Sequence, residues 1–526
     1  MPAAETTDPR RYWTLGVLCI SLVLVGMSVT ILNVAIPSLV RALHTQPDQL
    51  QWIFAAYGIV FSGLVITMGA VSDRFGRKRL LNVGLVLFGA ASGLGALATT
   101  PGPLIAARVA MGVGAAMIMP GTLSILATVF PSPSEQQQAI GIWSGVGGLG
   151  FILGPPVGGI LLSHFWWGSV MLANVPVVIV ALILGVRLVP ESRDPDRLRL
   201  DLVGAGLSIA AIASMVFAFI QAPDSGWGSG PVLGAIAAAV VAGTAFVRWE
   251  CSRERPMLDV RLFRRATFTL PALTITFGFF TVWGLLFLLP QYLQFVRGET
   301  VLTVGLTLAA VSVTWSLAAP LVPRLLVRIG DRAVMTGALA ISAIGALCFV
   351  GVGGSASVAF VIVGLAVLGL GMGCVTTPAT ALLVSSIPPE QAGVGSAMND
   401  VTREFGTAFG IAVLGSVLAL RYSALVATSG LRAGPASTAR AGIGGALRVA
   451  GGLHGTAAAQ LRASAHAAFT SGFHLAVVVG AVVLAALAAL TWVKLPRDAG
   501  ATVTVTDPGA PSPPLPSAAG RAGRLA

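Results

Sequence analysis

The sequence predicts an all-α integral membrane protein with fourteen transmembrane helices. Three observations predict it. Only 10% of the 526 residues are charged and 55% are apolar, with a mean hydropathy of +0.88, whereas a soluble domain carries roughly 25% charged residues. Apolar runs beginning near residues 13, 50, 80, 103, 138, 167, 201, 230, 268, 301, 334, 357, 393 and 469 are each of the ~20-residue length that a bilayer core requires. The basic residues gather in alternate gaps between these runs, as the positive-inside rule expects.

The first run, over 13–37, follows Arg10 and Arg11. It is longer than the apolar core of a signal peptide and lacks a small-residue cleavage site, so it reads as a first membrane helix. With the N-terminus placed in the cytoplasm, inner loops hold Arg74, Arg77, Lys78 and Arg79, then Arg187, Arg193, Arg197 and Arg199, then six arginines between 248 and 265, then Arg324, Arg328 and Arg332. Short outer loops hold only Arg41 and Arg297. Both termini are therefore expected inside. The segment at about 421–465 is the exception, a long outer loop with five arginines. The net charge of +12 does not imply a nucleic-acid partner, because the cations sit in short loops. Four cysteines without a C-x-x-C pair imply neither a metal site nor a disulfide framework.

The expected organisation is a cytoplasmic N-terminus over 1–12, a six-helix bundle over 13–190, an inserted pair of helices over 201–250, a second six-helix bundle over 268–495, and a disordered cytoplasmic tail over 496–526. A degenerate repeat supports it. "GAVSDRFGRKRLL" (69–81) follows the second run, and "RLLVRIGDRAV" (324–334) follows the tenth. Two pseudo-equivalent bundles are the architecture of many secondary transporters.

Four stretches carry chemistry. In 69–81 the cations alone would serve as a positive-inside anchor, but Asp73, Gly69 and Gly76 need another reason. In "RVAMGVGAA" (108–116) an arginine sits in an apolar helix, which costs several kcal/mol unless it finds a partner, water or the membrane surface. In "GLGFILGPPVGG" (148–159) the glycines permit close helix approach and the prolines interrupt the helix ladder. In "SAMNDVTREFG" (396–406) three ionisable groups share about one turn. A helix starting near Ala392 puts Asp400 about 12 Å and Glu404 about 18 Å along its axis at ~1.5 Å per residue. An Asp400–Arg403 ion pair in the headgroup zone is one reading. The other is proton exchange, with Glu404 the deepest carboxylate: burial favours its neutral form and a neighbouring guanidinium its charged form.

These stretches resemble the major facilitator superfamily. The G-x-x-x-D-R-x-G-R-[KR] pattern is similar to its signature loop, which implies that Asp73, Arg74, Arg77 and Lys78 latch the two halves on the cytoplasmic side. Arg108 matches the fourth-helix arginine implicated in proton transfer, with Met111 where glutamine is common. Gly150, Gly154, Pro155, Gly158 and Gly159 match the fifth-helix motif of the exporters. "TILNVAIPSL" (30–39), "QWIFAAYGI" (51–59), "FWWGSVMLANVPV" (165–177) and "LLPQYLQFVRG" (288–298) look like the fourteen-span drug:proton antiporters, and the resemblance covers nearly all of 13–495. One departure matters: that family often has a first-helix acid where this chain has Ser28, and no Asp or Glu occurs in 14–43.

The expectation is a plasma-membrane exporter of drugs or natural products working by alternating access, with Glu404, Asp400 and Arg108 coupling proton entry to efflux. The expected cavity residues are Asn33, Trp52, Tyr57, Trp283, Gln291, Tyr292 and Asn399. Its partners are a small-molecule substrate, protons and lipid, with no cofactor, no metal and a monomeric state. Alternatives are a narrow exporter of one antibiotic or metabolite, an importer, which the fifth-helix motif argues against, and a membrane enzyme or sensor. No P-loop, H-E-x-x-H or intramembrane Ser/His/Asp cluster supports the last.

Overall fold

The structure is a computed structural model and describes residues 10–130, 132–193, 201–253, 260–351, 357–386 and 392–496. The remainder, including most of the expected N-terminal segment and tail, lies outside the described residues. The described chain is helical, with no strand. Helices are required here because lipid offers no partner for backbone N–H and C=O groups. Thirteen helices are long and apolar enough to cross a bilayer, and Leu149–His164 adds a shorter apolar helix, giving the fourteen expected.

The first bundle contains α1 (Arg10–Val34), the short α2 (Ile36–Leu43), α3 (Pro47–Phe75), α4 (Arg77–Ala96), α5 (Pro101–Val129), α6 (Pro133–His164), the single turn α7 (Ser169–Leu172) and α8 (Asn174–Leu188). The inserted pair is α9 (Leu202–Ser225) and α10 (Gly230–Cys251). The second bundle contains α11 (Ala266–Gln291), α12 (Val301–Ala318), α13 (Val322–Leu347), α14 (Val358–Ser385), α15 (Ala392–Leu425), two short helices α16 (Ala433–Ala441) and α17 (Ile443–Gly451), and α18 (Gly455–Lys494). The region expected as an outer loop is thus largely helical: α15 continues to Leu425, α18 starts at Gly455, and α16 and α17 form a hairpin between them.

Within the first bundle α1 packs on α6, and α5 on α3 and α4; within the second α11 packs on α15, and α14 on α12 and α13. The bundles meet along two seams, α3 against α15 and α6 against α12. The inserted pair covers the first seam. Helix α9 contacts both α3 and α15, an added Cβ at Gly63 would overlap Ile209, and the Ser416 hydroxyl donates to the carbonyl of Phe219. Burial grades outward from the seams. Along α11, 89% of the apolar window is buried, against 11% along α10. Helices with outward residues such as Leu94, Val241 and Val493, each about 70% exposed, suit lipid rather than water.

The two ends of the molecule differ. One carries the α3–α4 turn with Asp73, the other the α16–α17 hairpin; we call them the Asp73 face and the hairpin face. The repeat read from the sequence is visible in the backbone. Gly76, between α3 and α4, has φ +119°, and Gly330, which breaks α13 internally, has φ +76°. Both adopt the left-handed region that residues with a Cβ avoid, at corresponding places in the two bundles.

Candidate functional site

Arg108 on α5 lies inside the first bundle, 2% exposed. Its Nε donates to the carbonyl of Ile53 at 3.0 Å, and its guanidinium lies over the ring of Tyr57, 4.5 Å from the centroid. Cation–π stacking suits the planar guanidinium and fixes its orientation. One of its nitrogens, Nη1, stays buried without a hydrogen-bond partner among the described residues, as do the Tyr57 hydroxyl and Oε2 of Glu404. These three groups line one narrow cavity together with Asn33, Phe54, Trp283 and Thr407. Buried polar atoms are nearly always paired, and charges inside a membrane more strictly still. Three groups without partners thus face one cavity, and no ion pair joins Arg108 to Glu404 among the described residues.

The cavity belongs to both bundles. Glu404 reaches it from α15 because Gly58 on α3 leaves room: an added Cβ there would stand 3.2 Å from both the carbonyl oxygen and Oε2 of Glu404. Of the cavity residues read from the sequence, Asn33, Tyr57 and Trp283 are brought together here. The others lie elsewhere. Trp52 packs beside Phe217 of the inserted pair, with ring centroids 6.3 Å apart. Tyr292 stacks on Phe473 at 5.1 Å. Asn399 accepts a hydrogen bond from the Thr380 hydroxyl at 3.0 Å. Gln291 lines a second cavity nearer the hairpin face. Sequence reading missed Phe54, Gly58 and Thr407; the i, i+4 spacing of Phe54 and Gly58 beside Tyr57 was the available signal.

Asp400, one turn before Glu404, and Arg403, its immediate neighbour, are half-buried. The ion pair considered between them does not form among the described residues. Arg403 instead lies over the ring of Phe279, 4.9 Å from its centroid, where a flat apolar face supports the guanidinium.

At the Asp73 face, Arg77 donates from Nε to Oδ1 of Asp73 at 2.8 Å and from Nη1 to the Thr128 hydroxyl at 2.9 Å. The backbone N–H of Lys78 donates to Glu191 at 3.2 Å, and Arg74 lies beside the Phe75 ring. Among the described residues these contacts all stay within the first bundle.

The fifth-helix glycines divide between two partners. Gly150, Gly154 and Gly158, spaced by four, face α1: added Cβ atoms would lie 2.6 Å from the carbonyl of Val23, overlap the Thr30 hydroxyl, and lie 2.9 Å from the carbonyl of Ile31. Gly159 and Pro155 face α12, where an added Cβ at Gly159 would stand 3.2 Å from the Val301 carbonyl and one at Gly305 would overlap the Pro155 carbonyl. Helix α6 is therefore pressed between its own bundle and the other one, backbone to backbone.

Comparison with known proteins agrees with this architecture. The chain matches the Major Facilitator Superfamily over residues 18–411. It is 35% identical over 497 residues to the multidrug efflux pump LfrA of Mycolicibacterium smegmatis, covering 94% of this chain and 98% of that one. It is 33% identical over 418 residues to the methylenomycin A resistance protein of Streptomyces coelicolor, covering 80% and 88%. Among solved structures, a bacterial homolog of the human lysosomal transporter Spinster, in an inward-facing and unoccupied conformation, superposes with a TM-score of 0.66 over 93% of this chain and 98% of that one, at 17% identity, which speaks to the fold alone. With its two bundles, its paired seams and a charged cavity between them, this multi-pass membrane chain belongs to the Major Facilitator Superfamily.

Proposed function

We propose that the protein exports drugs or natural products across the plasma membrane by alternating access, driven by inward movement of protons. The carrying observation is the position of Glu404. Its carboxylate belongs to one bundle, sits in a notch of the other, and shares a cavity with Arg108 while Oε2 has no partner. Only a group whose surroundings change as the bundles separate can bind a proton with different affinity in the two states, and a ligand shifts an equilibrium only through such a difference. Asp400, one turn nearer the Asp73 face, assists as a relay to solvent. The export direction draws support from relatives named for efflux and resistance and from the α6 glycine seam.

In this reading the Asp73 face and both termini are cytoplasmic, and Asp73, Arg74, Arg77 and Lys78 form a latch that engages the second bundle in the opposite conformation. The bundles comprise residues 13–190 and 268–495, with 201–250 the inserted pair. The protein works as a monomer on a small molecule and protons, without cofactor, metal or nucleic acid. Asn33, Tyr57 and Trp283 contact the substrate. The narrower reading, export of a single antibiotic, draws support from the relative named for methylenomycin A.

The test uses inverted vesicles with an imposed pH gradient. Glu404→Gln abolishes gradient-driven accumulation and leaves drug binding and downhill exchange. Accumulation by that variant at the wild-type level rejects Glu404 as the coupling group. A growth panel of unrelated compounds separates broad from narrow export.

A further inference from the structure

Beyond the central cavity, a second cavity lies nearer the hairpin face, roofed by α17 and the link before it. Three helices connect the two. On α3, Gly58 and Phe54 line the central cavity, and Gln51 the second. On α11, Trp283 lines the central cavity, and Phe287 and Gln291 the second. On α15, Ile411 and Gly415 are their neighbours, one turn apart. Spacings of three and four keep each set on one helix face. The two cavities therefore follow one another along the seam between the bundles. At the level between them Phe54 and Phe287 meet edge to face with centroids 5.4 Å apart, one ring from each bundle.

The second cavity is built for a different part of a ligand than the first. Its walls are mainly apolar, and no carboxylate lines it among the described residues; its charged group is Arg448, which donates to the Val40 carbonyl at 3.3 Å. Gln51 is 2% exposed, and its Oε1 has no partner. The amide fits there because residue 415 is glycine: an added Cβ would stand 2.8 Å from Nε2 of Gln51. A buried amide oxygen held against the cavity wall without a donor invites one from a ligand. The roof closes on both bundles, with Gly442 against Pro47, where an added Cβ would stand 3.0 Å away, and the Tyr422 hydroxyl donating to the Ala439 carbonyl.

We propose that this cavity is a second binding station for the transported molecule, taking its uncharged aromatic portion with a hydrogen-bond donor on Gln51, and entered from the central cavity through the Phe54–Phe287 contact. The proposal rests on the export reading, which makes the hairpin face the exit. A cationic aromatic molecule is held in the central cavity by Glu404, and at the second station it meets apolar walls and Arg448 but no counter-charge. The station thus binds the ring system weakly and passes the molecule outward.

Ethidium, an aromatic monocation, is the probe. Its binding to the purified full-length protein is read by fluorescence, its efflux in whole cells. Gln51→Glu supplies the missing counter-charge: ethidium is retained, and its efflux falls ~10-fold, equivalent to about 1.4 kcal/mol, while binding is unchanged or tighter and efflux of an uncharged aromatic substrate falls less. Ala419→Trp fills the cavity, in whose wall residue 419 stands, and lowers efflux of both substrates while binding at the central cavity persists. Wild-type ethidium efflux by Gln51→Glu overturns the proposal whatever Ala419→Trp does. A wild-type protein that does not export ethidium or the uncharged substrate, or a Glu404→Gln variant that still accumulates drug on a gradient, counts against the function proposed above and not against the station.

Discussion

In the first bundle the chain breaks at Gly76, and Asp73 before the break is tied to Arg77 after it at 2.8 Å. In the second bundle the chain breaks at Gly330, Asp331 and Arg332 follow it, and Arg332 lies over the ring of Trp492, 4.3 Å from its centroid. The backbone device is the same, the charge arrangement is not. The central cavity divides in the same way: the first bundle supplies the guanidinium of Arg108 and its ring support Tyr57, the second supplies the carboxylate of Glu404. Duplicated architecture gives two bundles that can rock on shared seams. In the function proposed above, unlike charges on opposite sides of those seams make rocking depend on protonation. Packing along the seams is needed for any motion, the charges only for coupled motion, and the predictions follow that order.

The largest effect is expected from Gly154→Val. An added Cβ already overlaps the Thr30 hydroxyl, and Val carries two more carbons into a contact between α1 and α6. Overpacking of this kind costs about 1–3 kcal/mol, and here the load falls on the helix that also forms the α6–α12 seam. Efflux should drop to background in whole cells while immunoblots still find the protein in the membrane. Normal efflux would show that the seam yields without cost.

Arg108→Lys comes next. Lysine keeps the charge but loses both the stack on Tyr57 and the Nε bond to Ile53. Gradient-driven accumulation should fall ~10-fold, a loss of about 1.4 kcal/mol, with downhill exchange less affected. Equal loss in both assays would mean that Arg108 holds the bundle together rather than tuning the proton site.

Much of this was legible in the sequence, and the exceptions have one physical origin. Span count and the inserted pair follow from apolar length and charge placement, both one-dimensional signals. Rotation of a helix about its own axis is different. It is read from an apolar stripe, and helices such as α5, α6 and α11 are apolar nearly all round, so no stripe exists. Along α11, accordingly, nothing in the sequence separates Trp283, which lines the central cavity, from Tyr292 just beyond the helix, which stacks on Phe473 of α18; for Trp52 and Tyr57 on α3 and Arg403 on α15 the partners Phe217, Arg108 and Phe279 come from other helices that no local pattern specifies. The hairpin of α16 and α17 was hidden for another reason: an Ala- and Gly-rich, arginine-bearing stretch has no membrane-length apolar run, and its helices rest on distant partners, α17 on α18 and α2 and α16 on α15, that no local pattern specifies.

The smallest and sharpest test of the asymmetry compares two conservative changes beside the two glycine breaks. Asp73→Asn keeps the shape of the turn and every cation that orients α3, so insertion should be unaffected. It removes the charge that binds Arg77, and with it the latch proposed for the opposite conformation. Transport should fall several-fold, equivalent to about 1 kcal/mol, because an amide oxygen at this position still accepts a hydrogen bond from Arg77 and only the charge is lost. Asp331→Asn alters the acid that follows the Gly330 break rather than one that precedes it, where the arginine at 332 is already supported by Trp492. Asp331 is half-buried and makes no ion pair among the described residues; losing such an unpaired charge is worth roughly 0–0.4 kcal/mol, and transport should stay within about twofold of wild type. Measuring both variants at equal membrane abundance isolates the role of each turn. Equal losses would mean that both bundles latch and that the asymmetry ends at the central cavity. A larger loss from Asp331→Asn would move the latch to the second bundle and leave Asp73 a local brace for Arg77.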